Sequence, residues 1–146
     1  MRRLSLLLIL AIAACHSTPT GALAGGSTPR GAVEQFLAAA NAQDLQALGA
    51  VWGDEKGLAR DKFPRQEVER QELIMISLLR HDSQTIGDSQ RIDQGRFLVS
   101  VALSQGKATA KTKFTLAQGT TSRWFVQEID LKPLQNAGFG GKAPIK

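Results

Sequence analysis

Residues 28–53, TPRGAVEQFLAAANAQDLQALGAVWG, decide how the rest of the chain is read. Val33, Phe36, Leu37 and Ala40 stand at i, i+3, i+4 and i+7, which lays one apolar stripe along a helix. Thr28 is placed to cap it, and Pro29 suits its first position, where a missing N–H costs nothing. Asn41-Ala42-Gln43-Asp44 then breaks the stripe. Asp44 is a new N-cap for a second, short helix carrying Leu45, Leu48, Val51 and Trp52. Two helices joined by a polar kink need an apolar surface to cover.

The second half of the chain supplies that surface as strands. Asp93-Gln94-Gly95 is a turn, followed by RFLVSVALSQ, in which Phe97, Val99, Val101 and Leu103 alternate with Leu98, Ser100 and Ala102. After Gln105-Gly106, Ala108, Ala110, Thr112, Phe114 and Leu116 alternate with Lys107, Thr109, Lys111, Lys113 and Thr115, an antiparallel strand with one wet face. Residues 83–92 are a further strand candidate around Ile86, interrupted by Gly87-Asp88. In RWFVQEIDLKPL, Phe125, Ile129 and Leu131 alternate against Trp124 and Val126, so both faces are covered or a bulge shifts the register.

Between the two halves, residues 53–63 are polar and glycine-punctuated, with a short strand or hairpin as the alternative to the loop they read as. Pro64 opens a third helix, with Glu67 and Glu69 in the early turns and Arg80 and His81 at the end, as the helix dipole favours. Its second half, Leu73 to Leu79, is apolar nearly all round and is expected to be buried on most sides. Three N-terminal helices packed on one curved antiparallel sheet of about four strands make an α+β domain. Phe36, Leu37, Leu48, Trp52, Ile76, Leu79, Val99, Val101, Phe114, Trp124, Val126 and Ile129 are its expected core. Residues 135–146, with Gly138, Gly140, Gly141 and Pro144, read as a loose tail.

The first fifteen residues, MRRLSLLLILAIAAC, have the form of a secretory signal: Arg2 and Arg3, then an apolar run too short to span a bilayer, then small residues. Ile12-Ala13-Ala14-Cys15 resembles a bacterial lipobox. The resemblance implies cleavage after Ala14, a diacylglyceryl group on Cys15 and acylation of the new N-terminus. One chain holds a protein only reversibly, whereas two or three on one cysteine make a durable anchor. The plainer alternative is an ordinary signal peptide that ends in Cys. His16, and not Asp, follows Cys15. By analogy with enteric lipoproteins this favours the periplasmic face of the outer membrane where the cell has two membranes. Residues 15–27 then comprise the lipidated cysteine and a flexible Ser/Thr/Pro/Gly linker.

Composition narrows the function classes. A hydrophobic content of 42% with 21% charged residues is that of a globular domain. The formal net charge is +5; setting aside Arg2 and Arg3 leaves about +3, evenly spread, which argues against a nucleic-acid partner. Lys107, Lys111 and Lys113 read as solvated strand charges. With Cys15 the single cysteine and His16 and His81 the two histidines, neither an intrachain disulfide nor a zinc centre is expected. No cofactor motif, phosphate loop or nucleophile elbow is present.

The order of elements carries a second resemblance. A helix ending in an Asn-Ala-Gln-Asp kink, a short helix ending near Trp52, a third helix, and strands closing on Arg-Trp-Phe-Val-Gln-Glu-Ile-Asp-Leu resemble the nuclear transport factor 2-like superfamily over residues 28–134. Another small α+β domain, such as a cystatin-type lipoprotein fold, is the rival. The resemblance implies a cone whose hollow serves some members as an active site and others as a binding or dimerisation surface. This chain has no tyrosine, a frequent donor in the enzymatic members. The acid–base candidates are His81 with Asp82, then Glu128 and Asp130. Each also has an ordinary structural reading: His81 and Asp82 close the third helix, and the two acids on the last strand face solvent. Trp52 and Trp124 are core or rim residues before they are ligand clamps. The leading expectation is therefore a lipid-anchored envelope protein with a non-enzymatic ligand- or partner-binding domain. The alternatives are an isomerase- or hydrolase-type enzyme using His81 and Asp82, and a homodimer formed through an open sheet face.

Overall fold

A computed structural model describes residues 23–141. The signal segment 1–14, Cys15 and the linker up to residue 22 lie outside the described residues, as do residues 142–146.

Helix α1, Pro29–Ala42, is the element the others pack around. The Thr28 hydroxyl accepts the Gly31 N–H at 2.9 Å, which satisfies one of the orphan donors of the first turn. Gln43 ends the helix in the left-handed region, at φ 55°, with its N–H turned back to the Ala39 and Ala40 carbonyls. Asp44 accepts the Ala47 N–H at 3.0 Å and starts α2, Leu45–Gly49. The kink expected from Asn41 to Asp44 is therefore a C-cap followed directly by an N-cap.

Residues 53–63 are ordered rather than loop. Strands β1 (Gly53–Asp54) and β2 (Gly57–Leu58) form a tight hairpin, and α3 (Ala59–Lys62) follows at once. Glycine permits the hairpin: a Cβ on Gly53 would stand 2.4 Å from the Gly57 carbonyl oxygen, and Gly57 itself has φ +129°. The Asp54 carboxylate holds the turn through the Lys56 N–H at 2.8 Å and takes the Lys62 ammonium at 2.5 Å.

Helix α4, Arg65–Leu79, buries Val68, Glu72, Met75, Ile76, Leu78 and Leu79. The expectation that its second half is covered on most sides fails at Leu73 and Ile74, which are 58% and 41% exposed. The helix packs on α1, α2 and α3, and on the C-terminal helix described below, so one flank faces solvent.

The sheet is antiparallel throughout, in the order β3 (Ser83–Asp93), β4 (Arg96–Gln105), β5 (Ala108–Gln118), β6 (Trp124–Ile129). Its turns use Gly95 and Gly106, both at positive φ. The interruption expected at Gly87-Asp88 is a bulge inside one strand: Ile86 pairs with Val101 and Ser89 with Val99, leaving two residues opposite Ser100. β3 shifts register again between Arg91 and Asp93, and a bulge in β6 sets Thr115 against Glu128 but Leu116 against Val126, so Gln127 is the extra residue there. It moves Ile129 to the inner face opposite Phe114, beside Val126, instead of leaving it with Phe125. Phe125 points to the outer face and is buried there because Gly25 and Gly119 have no side chain. A Cβ on either would come within 2.9 Å of its ring.

The core fills the space between the inner face of the sheet and α1, with α4 behind α1. Phe36 meets Phe114 edge-on, centroids 6.2 Å apart at 78°, and Phe97 meets Trp124 at 5.1 Å and 85°. Ten of the twelve expected core residues are buried; Trp52 and Ile129 are half-buried against the cluster. Lys107, Lys111 and Lys113 are exposed.

Both ends of the expected domain need correction. The linker reading of residues 15–27 stops short of Gly25 and Gly26: Gly26 exchanges two backbone hydrogen bonds with Trp124, and the Gly25 N–H donates to the Ala50 carbonyl. Arg123 donates to the Ala24 and Gly25 carbonyls. The tail reading fails from residue 135 to 140. Helix α5, Lys132–Asn136, buries Leu134, and Phe139 closes over the core. Glycines masked this from composition: Gly138 and Gly140, both at positive φ, aim Phe139 inward and are not marks of looseness.

The fold is thus α+β with a four-stranded antiparallel sheet, four helices before the sheet and one after it among the described residues.

Candidate functional site

His81 and Asp82 come just after the Arg80 C-cap of α4, and the structure sends their side chains to different places. His81 Nδ1 lies 2.7 Å from the Leu79 carbonyl and donates to it, so Nε2 is the acceptor for Asn41 Nδ2 at 3.2 Å. Asn41 also accepts the His81 N–H at 3.0 Å and donates to its carbonyl at 3.2 Å. One side chain at the end of α1 thereby ties down the end of α4. The Asp82 carboxylate accepts the Gly106 N–H at 2.7 Å and holds the β4–β5 turn. The two residues are not brought together as an acid–base pair.

Asp130 and Glu128 are both exposed, as the solvent-facing reading expected. The Asp130 backbone accepts from the buried Thr112 hydroxyl, and its carboxylate accepts the Lys132 N–H at 3.3 Å ahead of α5. Trp124 is core. Trp52 borders a small hollow of about 170 Å³ with Phe63 and Val68. Among the described residues no three His, Cys, Asp or Glu side chains are grouped to hold a metal ion.

The group that stands out chemically is one the sequence reading passed over. Glu72, in the third turn of α4, is 4% exposed as a residue; its carboxyl oxygens open onto a cleft, and among the described residues it makes no side-chain hydrogen bond or ion pair. It belongs to the apolar stripe Val68, Glu72, Met75, Ile76, Leu79, an acid where helical spacing calls for an aliphatic residue. That misplacement was the available signal. Glu72 lines a cleft of about 270 Å³ between α2, α3 and α4, walled by Leu45, Gln46, Gly49, Arg60, Arg65 and Val68, with Asp61 and Glu69 at its edge. Gly49 makes room for it: a Cβ there would stand 2.7 Å from Glu72 Oε1. Arg65 and Glu69 pair with each other at 2.6 Å across one helical turn.

Burial, and secondarily the Glu69 carboxylate, push the Glu72 carboxyl above its ordinary 4.5, and Arg60 pulls it part of the way back. A raised native pKa means that, from about 4.5 up to the native value, the folded state binds more protons than the unfolded one. Stability therefore falls as pH rises through that window and is level above it. Glu72→Gln is accordingly expected to be more stable than the parent at pH 7, with the difference shrinking as pH falls towards 4.5. Urea midpoints measured from pH 4 to pH 8 check this; a difference independent of pH would assign Glu72 no burial cost.

A second cleft, of about 570 Å³, lies by the β3–β4 turn, where the Asp93 Oδ1 and Gln127 Oε1 atoms are buried without partners. Its charge is already matched, because Asp93, 40% exposed, is paired with Arg96. The Arg96 guanidinium holds the Asp93 carboxyl below the usual value. The Glu72 cleft is the better candidate, since there the charge of a largely buried residue has no protein partner, whereas Asp93 is held by Arg96.

Compared with known proteins, the chain matches no family model, no curated protein and no solved structure.

Proposed function

We propose that this chain is a lipid-anchored envelope protein whose domain binds a small ligand in the cleft between α2, α3 and α4, without catalysing a reaction on it. The observation that carries the binding reading is Glu72, a largely buried residue whose carboxyl opens onto a cleft and has no protein partner among the described residues. Buried polar groups are nearly always hydrogen-bonded, and one left open in a concave site is what a ligand satisfies. The isomerase- or hydrolase-type alternative rests on His81 and Asp82. Their engagement with the Leu79 carbonyl, Asn41 and Gly106 favours the plain structural role for both.

Helices covering one face of a curved antiparallel sheet, the nuclear transport factor 2-like arrangement, is our reading of the architecture, with four helices before the sheet and one after it in place of the three expected. It is supported by α1 lying against all four strands of the meander. In this chain the space under the sheet is occupied by Phe36, Phe114, Leu116 and Val126, and the ligand is assigned to the helical side.

The anchor is proposed on Ile12-Ala13-Ala14-Cys15 and the signal before it. Cys15→Ala is expected to move the protein out of the detergent-extracted membrane fraction into the precursor or soluble pool. A variant that is cleaved and still sediments with membranes would refute the lipid anchor. Mass spectrometry of whatever co-purifies with the extracted protein tests the binding reading directly: a stoichiometric small molecule supports it, and a chain that carries none from fresh extracts and binds none added back counts against it.

A further inference from the structure

We infer that the α2–α3–α4 cleft is a site for a short-chain primary amine, taken up as its ammonium ion with Glu72 as the acceptor. This rests on the binding-domain reading above and adds the class of ligand.

The charges around the cleft select the sign. Arg60 and Arg65 contribute two positive charges; Asp61, Glu69 and an ionised Glu72 contribute three negative ones. Arg65 is committed to Glu69. Arg60 and Asp61 are exposed neighbours on α3 at the mouth. The surplus is the one negative charge that is buried, and a monocation entering the cleft neutralises it.

The type of cation follows from the ligands at hand. A bare metal ion needs several oxygens or nitrogens converging on it, and the described residues hold no such cluster. A primary ammonium brings its own directional N–H donors, so a single carboxylate accepting charge-assisted hydrogen bonds is an adequate partner. Leu45 and Val68 give the walls an apolar stretch for a carbon chain. About 270 Å³ admits an alkyl chain of a few carbons, below the usual range for larger ligands. Gly49 keeps the carboxyl where the amine would meet it, because a methyl group there displaces Glu72 Oε1.

Arg60 enters as a competitor. Its guanidinium is the cation that otherwise draws on the Glu72 charge, so removing it leaves the carboxylate freer for the amine. A site in which Arg60 helped to hold the ligand would respond in the opposite direction.

The test is a titration of the full chain in detergent with n-butylammonium chloride, read from the Gly49 amide and Glu72 carboxyl resonances, with tetramethylammonium and sodium as controls. Saturable shifts with butylammonium are expected, with tetramethylammonium, which has no N–H, at least about tenfold weaker. Glu72→Gln should abolish the shifts while unfolding no earlier than the parent, Gly49→Ala should weaken binding, and Arg60→Gln should strengthen it. Equal response to the two ammonium ions, undiminished binding by Glu72→Gln, weaker binding by Arg60→Gln, or no saturation would each overturn the inference. A chain that ignores butylammonium yet retains a co-purified compound loses this inference alone; one that does neither loses the binding reading with it.

Discussion

Phe36→Ala is expected to destabilise the domain by about 3–5 kcal/mol, the range for deleting a buried aromatic side chain. Phe36 is fully buried, and its ring stands edge-on to Phe114 in β5, at the point where α1 crosses the sheet. Truncation removes the transfer energy of the ring, leaves a cavity between two layers that cannot collapse independently, and forfeits the aromatic pair. Urea denaturation of the parent and the variant measures it. A loss near zero would mean that α1 is not seated on the sheet, and the assignment of the core between them would be wrong.

Phe139→Ala is the second large effect expected, at about 3 kcal/mol, the low end of the same range because the chain close to an end relaxes more easily around a void. Phe139 is 4% exposed and belongs to the central cluster, although it lies beyond the last strand and is flanked by glycines. Its N–H closes on the Leu134 carbonyl at 3.0 Å, one residue pair that fixes α5 and the ring together. A loose tail would lose nothing by the change. An unchanged denaturation midpoint would therefore restore the reading of residues 135 onward as tail and remove Phe139 from the core.

Local pattern determined much of this protein. The Thr28 and Asp44 caps, the stripe Val33, Phe36, Leu37, Ala40 and the strict alternation of β4 and β5 are short-range signals, because caps and periodicities depend on neighbours within a turn or a strand. The α+β order and most of the ten buried core residues followed from such patterns. Tertiary structure alone decided the rest. Whether Gly87-Asp88 breaks a strand or bulges it depends on β4 continuing alongside. The face on which Ile129 lies turns on one extra residue, Gln127, whose effect is set by pairing with β5. Leu73 and Ile74 are apolar yet exposed, because no neighbouring element covers that flank of α4, and no spacing within the helix records that. The candidate site belongs to the same class. Glu72 in an apolar stripe was visible as an anomaly, but its meaning comes from Gly49, 23 residues earlier in the chain across the β1–β2 hairpin and α3, which leaves room for a carboxyl that no protein donor meets. A lone acid acquires chemistry from what surrounds it, since desolvation and unpaired hydrogen-bonding capacity are properties of the packed interior and not of the chain.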